Sequence, residues 1–291
     1  MRHARAGDLD LAYESFGDDS DPPLLLIMGL GTQMVAWDDE FCRLLAAEHL
    51  RVIRFDNRDI GLSSHLTALG VPDLEAAAEG KSFEPPYRLA DMAGDVVGLL
   101  DALGLQAAHV VGASMGGMIA QELVIAHPSR VLSLTSIMST PAPEIGVPTE
   151  AAMAALFTPP GTDLPSAVAR AIKVQRVIGS PGYPLDEEAL AARVKVAWER
   201  SEGDAEGVVR QMVCIMGSPD RRPGLSRTTV PTLVLHGEDD PLVTLEGGEA
   251  TAEVVPGARL VVFAGMGHNL PVQLWPSIIA EISDHVRGVV V

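Results

Sequence analysis

Leu24-Leu25-Leu26-Ile27-Met28 is an unbroken apolar run that stops at a glycine, and a short run of this kind is the signature of a strand covered on both faces. Residues 51–55, 108–111, 131–138, 232–236 and 259–263 read as further strands, and Leu9, Leu11 and Tyr13 alternate with polar neighbours as in a half-buried one. Helical spacing fills the intervals. Met92, Val96, Leu99, Leu100 and Leu103 share one face of a helix over 89–103 that stops at Gly104, and helices follow over 37–47, 115–127, 244–254 and 272–286. This strand–helix alternation predicts an α/β fold with a parallel sheet and helices on both faces.

The alternation breaks between two proline clusters, Pro141-Pro143-Pro148 and Pro219-Pro223-Pro231. Only helical patterns lie between them: one from Thr149, then 165–178, 186–200 and 205–216. We therefore expect a core domain built from residues 1–140 and 231–291, with a helical segment, 141–230, inserted into it.

With 47% apolar and 21% charged residues in 291, the chain has ample material for a buried core, which excludes disorder and a disulfide-stapled miniprotein. Its formal charge of −18 repels phosphate backbones and anionic lipid, so neither nucleic acid nor a membrane surface is an expected partner. Cys42 and Cys214 lie far apart with no metal-ligand spacing, which fits a reducing compartment, or thiols that are merely buried, better than a zinc site. The amino terminus does not lead into a signal-peptide apolar region, and the apolar stretch 22–30 is too short to span a bilayer. The expectation is a soluble, cytoplasmic protein. The pattern carries no signal for an oligomeric state.

Chemistry concentrates at three strand ends. Gly112-Ala113-Ser114-Met115-Gly116 matches G-x-S-x-G where an apolar strand meets an apolar helix. Such a turn holds a serine in strained backbone geometry at a helix amino terminus, and it needs small residues two positions to either side. A serine hydroxyl becomes a nucleophile only with a base, and the base needs an orienting acid. Strand 232–236 runs into Gly237-Glu238-Asp239-Asp240-Pro241, and strand 259–263 into Ala264-Gly265-Met266-Gly267-His268-Asn269. His268 is the expected base. Asp240 is the expected acid, because Pro241 rigidifies its turn whereas Glu238 and Asp239 come earlier in the loop, facing solvent. Parallel strands end on one rim, so Ser114, Asp240 and His268 can converge there.

An oxyanion hole also requires two backbone N–H groups. Met115, directly after the serine, is expected to supply one, and Leu30, in the Met28-Gly29-Leu30-Gly31 loop, the other. His109 and His127 read as structural. His236 ends a strand beside three carboxylates, and a metal site from His236, Asp239, Asp240 and His268 is disfavoured against the serine–histidine–aspartate reading. No metal and no organic cofactor is expected.

Together these motifs resemble the α/β-hydrolase superfamily over nearly the whole chain. Met28-Gly29, the segment Asp56-Asn57-Arg58-Asp59-Ile60-Gly61-Leu62-Ser63 and Gly265-Met266-Gly267-His268 look most like aclacinomycin methylesterase-type hydrolases. Many relatives have His-Gly where this chain has Met28-Gly29. The resemblance implies a mostly parallel central sheet, a helical cap formed by the insert, and hydrolysis of a small-molecule ester through a covalent acyl-enzyme. The 56–63 segment reads as a structural turn supporting the site. Methionines 28, 34, 115, 118 and 266 fall in or near the site loops, where they fill core or line an apolar pocket for acyl chains or a fused-ring ester. The same three residues could instead run perhydrolysis, as in haloperoxidase-like relatives, or carbon–carbon bond hydrolysis, and a non-catalytic ligand receptor is the alternative of another class.

Overall fold

The computed structural model describes residues 1–73, 84–200 and 204–289. Eight strands form one sheet: β1 (Arg2–Ala6), β2 (Leu9–Phe16), β3 (Pro23–Ile27), β4 (Arg51–Phe55), β5 (Ala108–Ala113), β6 (Val131–Ile137), β7 (Thr232–Gly237) and β8 (Arg259–Phe263). Their spatial order is β1-β2-β4-β3-β5-β6-β7-β8. Only β1 with β2, and β2 with β4, pair antiparallel; every other neighbour is parallel.

The core helices are α1 (Asp39–Ala46), α2 (Leu89–Ala102), α3 (Met115–Ala126), α9 (Leu245–Val254) and α10 (Trp275–Arg287). Between β6 and β7 the described residues form α4 (Glu150–Leu156), α5 (Leu164–Ile178), α6 (Glu187–Arg200), α7 (Ala205–Met216) and α8 (Arg222–Leu225), without a strand. Side-chain caps start several of them: Asp38 accepts from Glu40 N–H, Thr149 from Ala152 N–H and Asp163 from Ser166 N–H.

The apolar runs are strands because both faces of the sheet are covered. Leu25 and Ile27 point into a cluster with α2 and α3, while Leu24 and Leu26 point into another with α1 and α10. The chain leaves β3 in one direction to β4 and reaches β5 on the other side, so the strand order reverses at β3. A crevice opens at the carboxyl ends of strands at such a point.

Two features differ from the sequence reading. Arg2–Ala6 forms an edge strand, because its Ala4 and Ala6 pack inward while its charged residues face water. Helical structure near Trp37 and Val272 starts as single 3₁₀ turns, with the α-helices opening only at Asp39 and Trp275.

Candidate functional site

Ser114 links β5 to α3 with φ 56° and ψ −123°, a conformation that costs a non-glycine residue free energy. Hydrogen bonds impose it from all sides. Its N–H donates to Ile137 O at 2.9 Å, and its carbonyl accepts from Gly117 N–H, Met118 N–H and the Ser139 hydroxyl. The two flanking glycines are sterically required: a Cβ on Gly112 would lie 2.2 Å from Gly116 O, and one on Gly116 would lie 2.2 Å from Ile27 O.

Ser114 Oγ is 3.0 Å from His268 Nε2, and His268 Nδ1 is 2.7 Å from Asp240 Oδ2. Asp240 is buried; Glu238 and Asp239 are exposed. The other Asp240 oxygen, Oδ1, accepts from Leu242 N–H at 2.9 Å and Val243 N–H at 3.0 Å, leaving Oδ2 for the imidazole. His236 lies behind this pair, with Nε2 at 2.8 Å from Val243 O and 3.8 Å from Asp240 Oδ2. Burial pushes its pKa down, so it is a neutral donor to the Val243 carbonyl. Among the described residues no grouping of histidine, cysteine, aspartate and glutamate could hold a metal ion. Burial raises the Cys42 and Cys214 thiols to about 12, which removes both as thiolate nucleophiles.

The loop after β3 runs alongside the serine. A Cβ on Gly29 would stand 3.1 Å from Ser114 Cβ and 3.5 Å from its Oγ, so the backbone at Gly29 borders the serine side chain directly. Neither the Leu30 nor the Met115 N–H has an acceptor among the described residues. Met34, Met115 and Met266 are fully buried, whereas Met28 is half-buried beside the loop. Core filling therefore accounts for the first three.

Several residues that hold these loops were not apparent from sequence. The turn between α5 and α6 clasps the His268 loop: His268 N–H donates to Ile178 O at 2.7 Å, Gly267 N–H to Ser180 Oγ at 2.9 Å, and Gly182 N–H to Gly265 O at 2.9 Å. Residues 56–63 do form the supporting turn expected of them, and the insert closes on it. Arg200 binds Asp56, and Arg210 makes a two-pronged pair with Asp59 at 2.7 and 2.9 Å. Burial alone would raise the Asp59 carboxyl, but the Arg210 guanidinium and the Leu66 N–H hold it below the usual range. Asp56 moves the other way, its pKa raised by burial despite Arg200. A sequence signal for the α7 contacts exists in hindsight: Arg210 and Gln211 interrupt the buried stripe of α7 between Gly207 and Cys214, and polar residues on a buried stripe have partners.

Comparison with known proteins follows the same lines. A family model described as alpha/beta hydrolase fold matches residues 22–163, and one described as TAP-like protein matches residues 210–278. Rhodomycin D methylesterase DauP of Streptomyces sp. (strain C5) is 31% identical over 305 residues, covering 98% of this chain and 97% of that protein. The 3-oxoadipate enol-lactonase 2 of Acinetobacter baylyi is 30% identical over 258 residues, covering 88% of this chain and 86% of its own. Among solved structures, the enol-lactonase from Burkholderia xenovorans LB400 matches with a TM-score of 0.75 at 24% identity, covering 98% of this chain and all of that one. At that identity the likeness speaks to the fold. Among the described residues no helix is long and apolar enough to cross a membrane.

Proposed function

The chain belongs to the α/β-hydrolase fold family, and on that premise we propose that it is a serine carboxylesterase with Ser114 as nucleophile, His268 as base and Asp240 as the acid that orients it. The observation that carries this reading is the continuous series of hydrogen bonds from Ser114 Oγ through His268 to a buried Asp240. Its placement at the amino end of α3, in a backbone conformation sustained against strain, supports it further.

His268 Nε2 accepts the hydroxyl proton as Ser114 Oγ bonds to the ester carbonyl carbon. Charge collects on the carbonyl oxygen, where the Met115 and Leu30 N–H groups donate to it. Collapse of the tetrahedral species expels the alcohol, which takes the proton from His268. Water then gives a proton to His268 and attacks the acyl carbon, and the acid leaves as Ser114 regains its proton. Asp240 keeps the imidazole in the tautomer whose Nε2 is free to accept, and it stabilises the positive charge. No metal or organic cofactor enters the scheme.

We assign residues 141–230 the part of a cap, since turns and helices of that segment bond to both the His268 loop and the loop after β3. The proposed substrates are small to medium or fused-ring esters; the full-length relatives named as methylesterases favour a methyl ester, and the enol-lactonase relative makes a cyclic ester worth testing. The two free, buried thiols fit a cytoplasmic setting.

The test is fluorophosphonate labelling followed by hydrolysis of a p-nitrophenyl ester series, a methyl ester and an enol lactone. We expect an adduct on Ser114 and, in Ser114→Ala, a fall in kcat of at least about 10⁴-fold. No adduct and no Ser114-dependent turnover would remove the esterase reading. Tight ligand binding under those conditions would point to a receptor, and peroxide-dependent halogenation or carbon–carbon cleavage without ester hydrolysis to the other chemistries of this site.

A further inference from the structure

We infer that Gln211, on a helix remote in sequence from every strand end, is a positioning residue that sets the orientation of the Leu30 N–H toward the carbonyl oxygen of an ester held at Ser114. The inference rests on the esterase reading above and deepens it.

Gln211 has 0% of its surface exposed. Its Oε1 accepts from Gly31 N–H at 2.9 Å, and its Nε2 donates to Arg58 O at 2.9 Å. The two bonds fix the amide uniquely, because turning it over would set NH₂ against N–H and oxygen against oxygen. The helix that carries it cannot slide. Arg210 grips Asp59, the Val208 side chain packs over Gly31, and Gly207 lies so near the Asp59 carbonyl that a Cβ there would come within 2.1 Å of it.

The consequence falls on four residues. At one end of Met28-Gly29-Leu30-Gly31 the Met28 carbonyl accepts from Asn57 Nδ2 at 2.9 Å; at the other the Gly31 N–H is held by Gln211. The Leu30 N–H lies between the two fixed points. Gly29 and Gly31 flank it, and Gly31 already sits at φ 62°, so this stretch of backbone is unusually free to rotate a peptide plane. An N–H rotated away from the developing charge is a lost donor, which costs about 10²–10³ in rate when complete. Inside the loop the Gly29 carbonyl accepts from Thr32 N–H at 3.4 Å, and Gln211 and Asn57 restrict the plane further by fixing both ends of the stretch. The carbonyls that accept from them, Arg58 O from Gln211 and Met28 O from Asn57, tie the loop after β3 to the 56–63 turn.

The experiment measures kcat, KM and inhibition by an aryl trifluoromethyl ketone, whose adduct with serine carries the same oxyanion, in the full chain. Gln211→Met removes both hydrogen bonds at similar volume. We expect kcat to fall about 10- to 100-fold with KM within about threefold, and the ketone's inhibition constant to rise by the factor lost in kcat. Gln211→Glu keeps an acceptor for Gly31 N–H, and only its protonated form can also donate to Arg58 O. Its kcat relative to the parent should therefore rise as pH is lowered, a readout that loss of packing does not produce and one that stands if Gln211→Met fails to fold. Parental kcat and ketone inhibition in Gln211→Met, or a pH-independent ratio in Gln211→Glu, would overturn the inference while leaving the esterase reading intact. Hydrolysis that survives Ser114→Ala would overturn the reading itself, and the inference with it.

Discussion

Two adjacent carboxylates at the end of β7 meet opposite surroundings: Asp239 is exposed to water, while Asp240 is enclosed, with Leu242 and Val243 N–H on one oxygen and His268 on the other. This arrangement makes a sharp prediction for Asp240→Asn. The amide oxygen has to face the two N–H donors, so its NH₂ turns to His268 Nδ1 and forces the imidazole into the tautomer that carries its proton on Nε2. Such an imidazole cannot accept the Ser114 proton. We expect kcat to drop about 10⁴-fold in a protein with parental thermal stability to within a few degrees, and Asp239→Asn to retain near-parental turnover. Steady-state kinetics on the two variants checks this; a fully active Asp240→Asn would take the acid's role away from that residue. Which carboxylate turns inward was legible in the sequence because Pro241 fixes the turn directly after Asp240. His236 was harder to place there, since a histidine that ends a strand beside three acids also suggests a ligand, even with the metal site disfavoured. What decides its part is a contact invisible to local pattern, the Val243 carbonyl that its Nε2 meets.

Among the elements, α7 shows where sequence reading stops. Its existence and its limits follow from spacing, and the stop at Gly217 is where the helix ends. Its partners do not follow, because Arg210 and Gln211 meet residues about 150 and 180 positions away, on a turn and a loop that only the folded sheet brings together. The elbow is the contrasting case: serine, strand, helix and both obligatory glycines lie within one short window, so local pattern suffices. The Arg210–Asp59 pair lets the α7 junction be tested by stability. Both side chains are fully buried, and Arg210→Met strands a carboxylate that no water can reach. Breaking a buried pair from one side costs about 3–5 kcal/mol, mostly the uncompensated charge. The expected result is a loss of that size in urea denaturation for Arg210→Met, with a clearly smaller loss when Asp59→Asn is added, since the double variant buries no charge. Equal losses in the single and double variants would show that the shape of the junction, rather than the charge, carries its stability.

At the scale of the whole molecule the strand–helix alternation foretold a parallel sheet with covered faces, but strand order and the antiparallel β1–β2 edge depend on which strands find each other, and period-two patterns do not encode that. The assembled sheet buries His109 on β5, with Nδ1 at 2.8 Å from Ser133 Oγ on its β6 neighbour, and His236 on β7, and half-buries His285 on α10, which bonds Leu134 O. Burial lowers the pKa of all three, and His285 adds to the effect on His109, which falls to about 4. In the unfolded chain each would take up a proton near pH 6.5. Below pH 6.5 the unfolded state therefore binds protons that the folded state refuses. The His109 contribution is complete above pH 6.5, declines as pH falls toward about 4, and levels off below that, and His236 and His285 add losses of the same sign. His109 alone accounts for about 3 kcal/mol of that decline, at roughly 1.4 kcal/mol per lost pKa unit. The surface pulls the opposite way, because protonating carboxylates relieves the self-repulsion of a chain with formal charge −18. Salt distinguishes the two contributions, since it screens exposed charges and barely reaches buried rings. In about 0.3 M salt, urea midpoints should fall steadily from pH 7 to pH 4.5, and His109→Gln should flatten the slope by close to one proton. A slope unchanged in His109→Gln would mean that this ring is protonated in the folded protein, and would move the origin of acid sensitivity to the carboxylates.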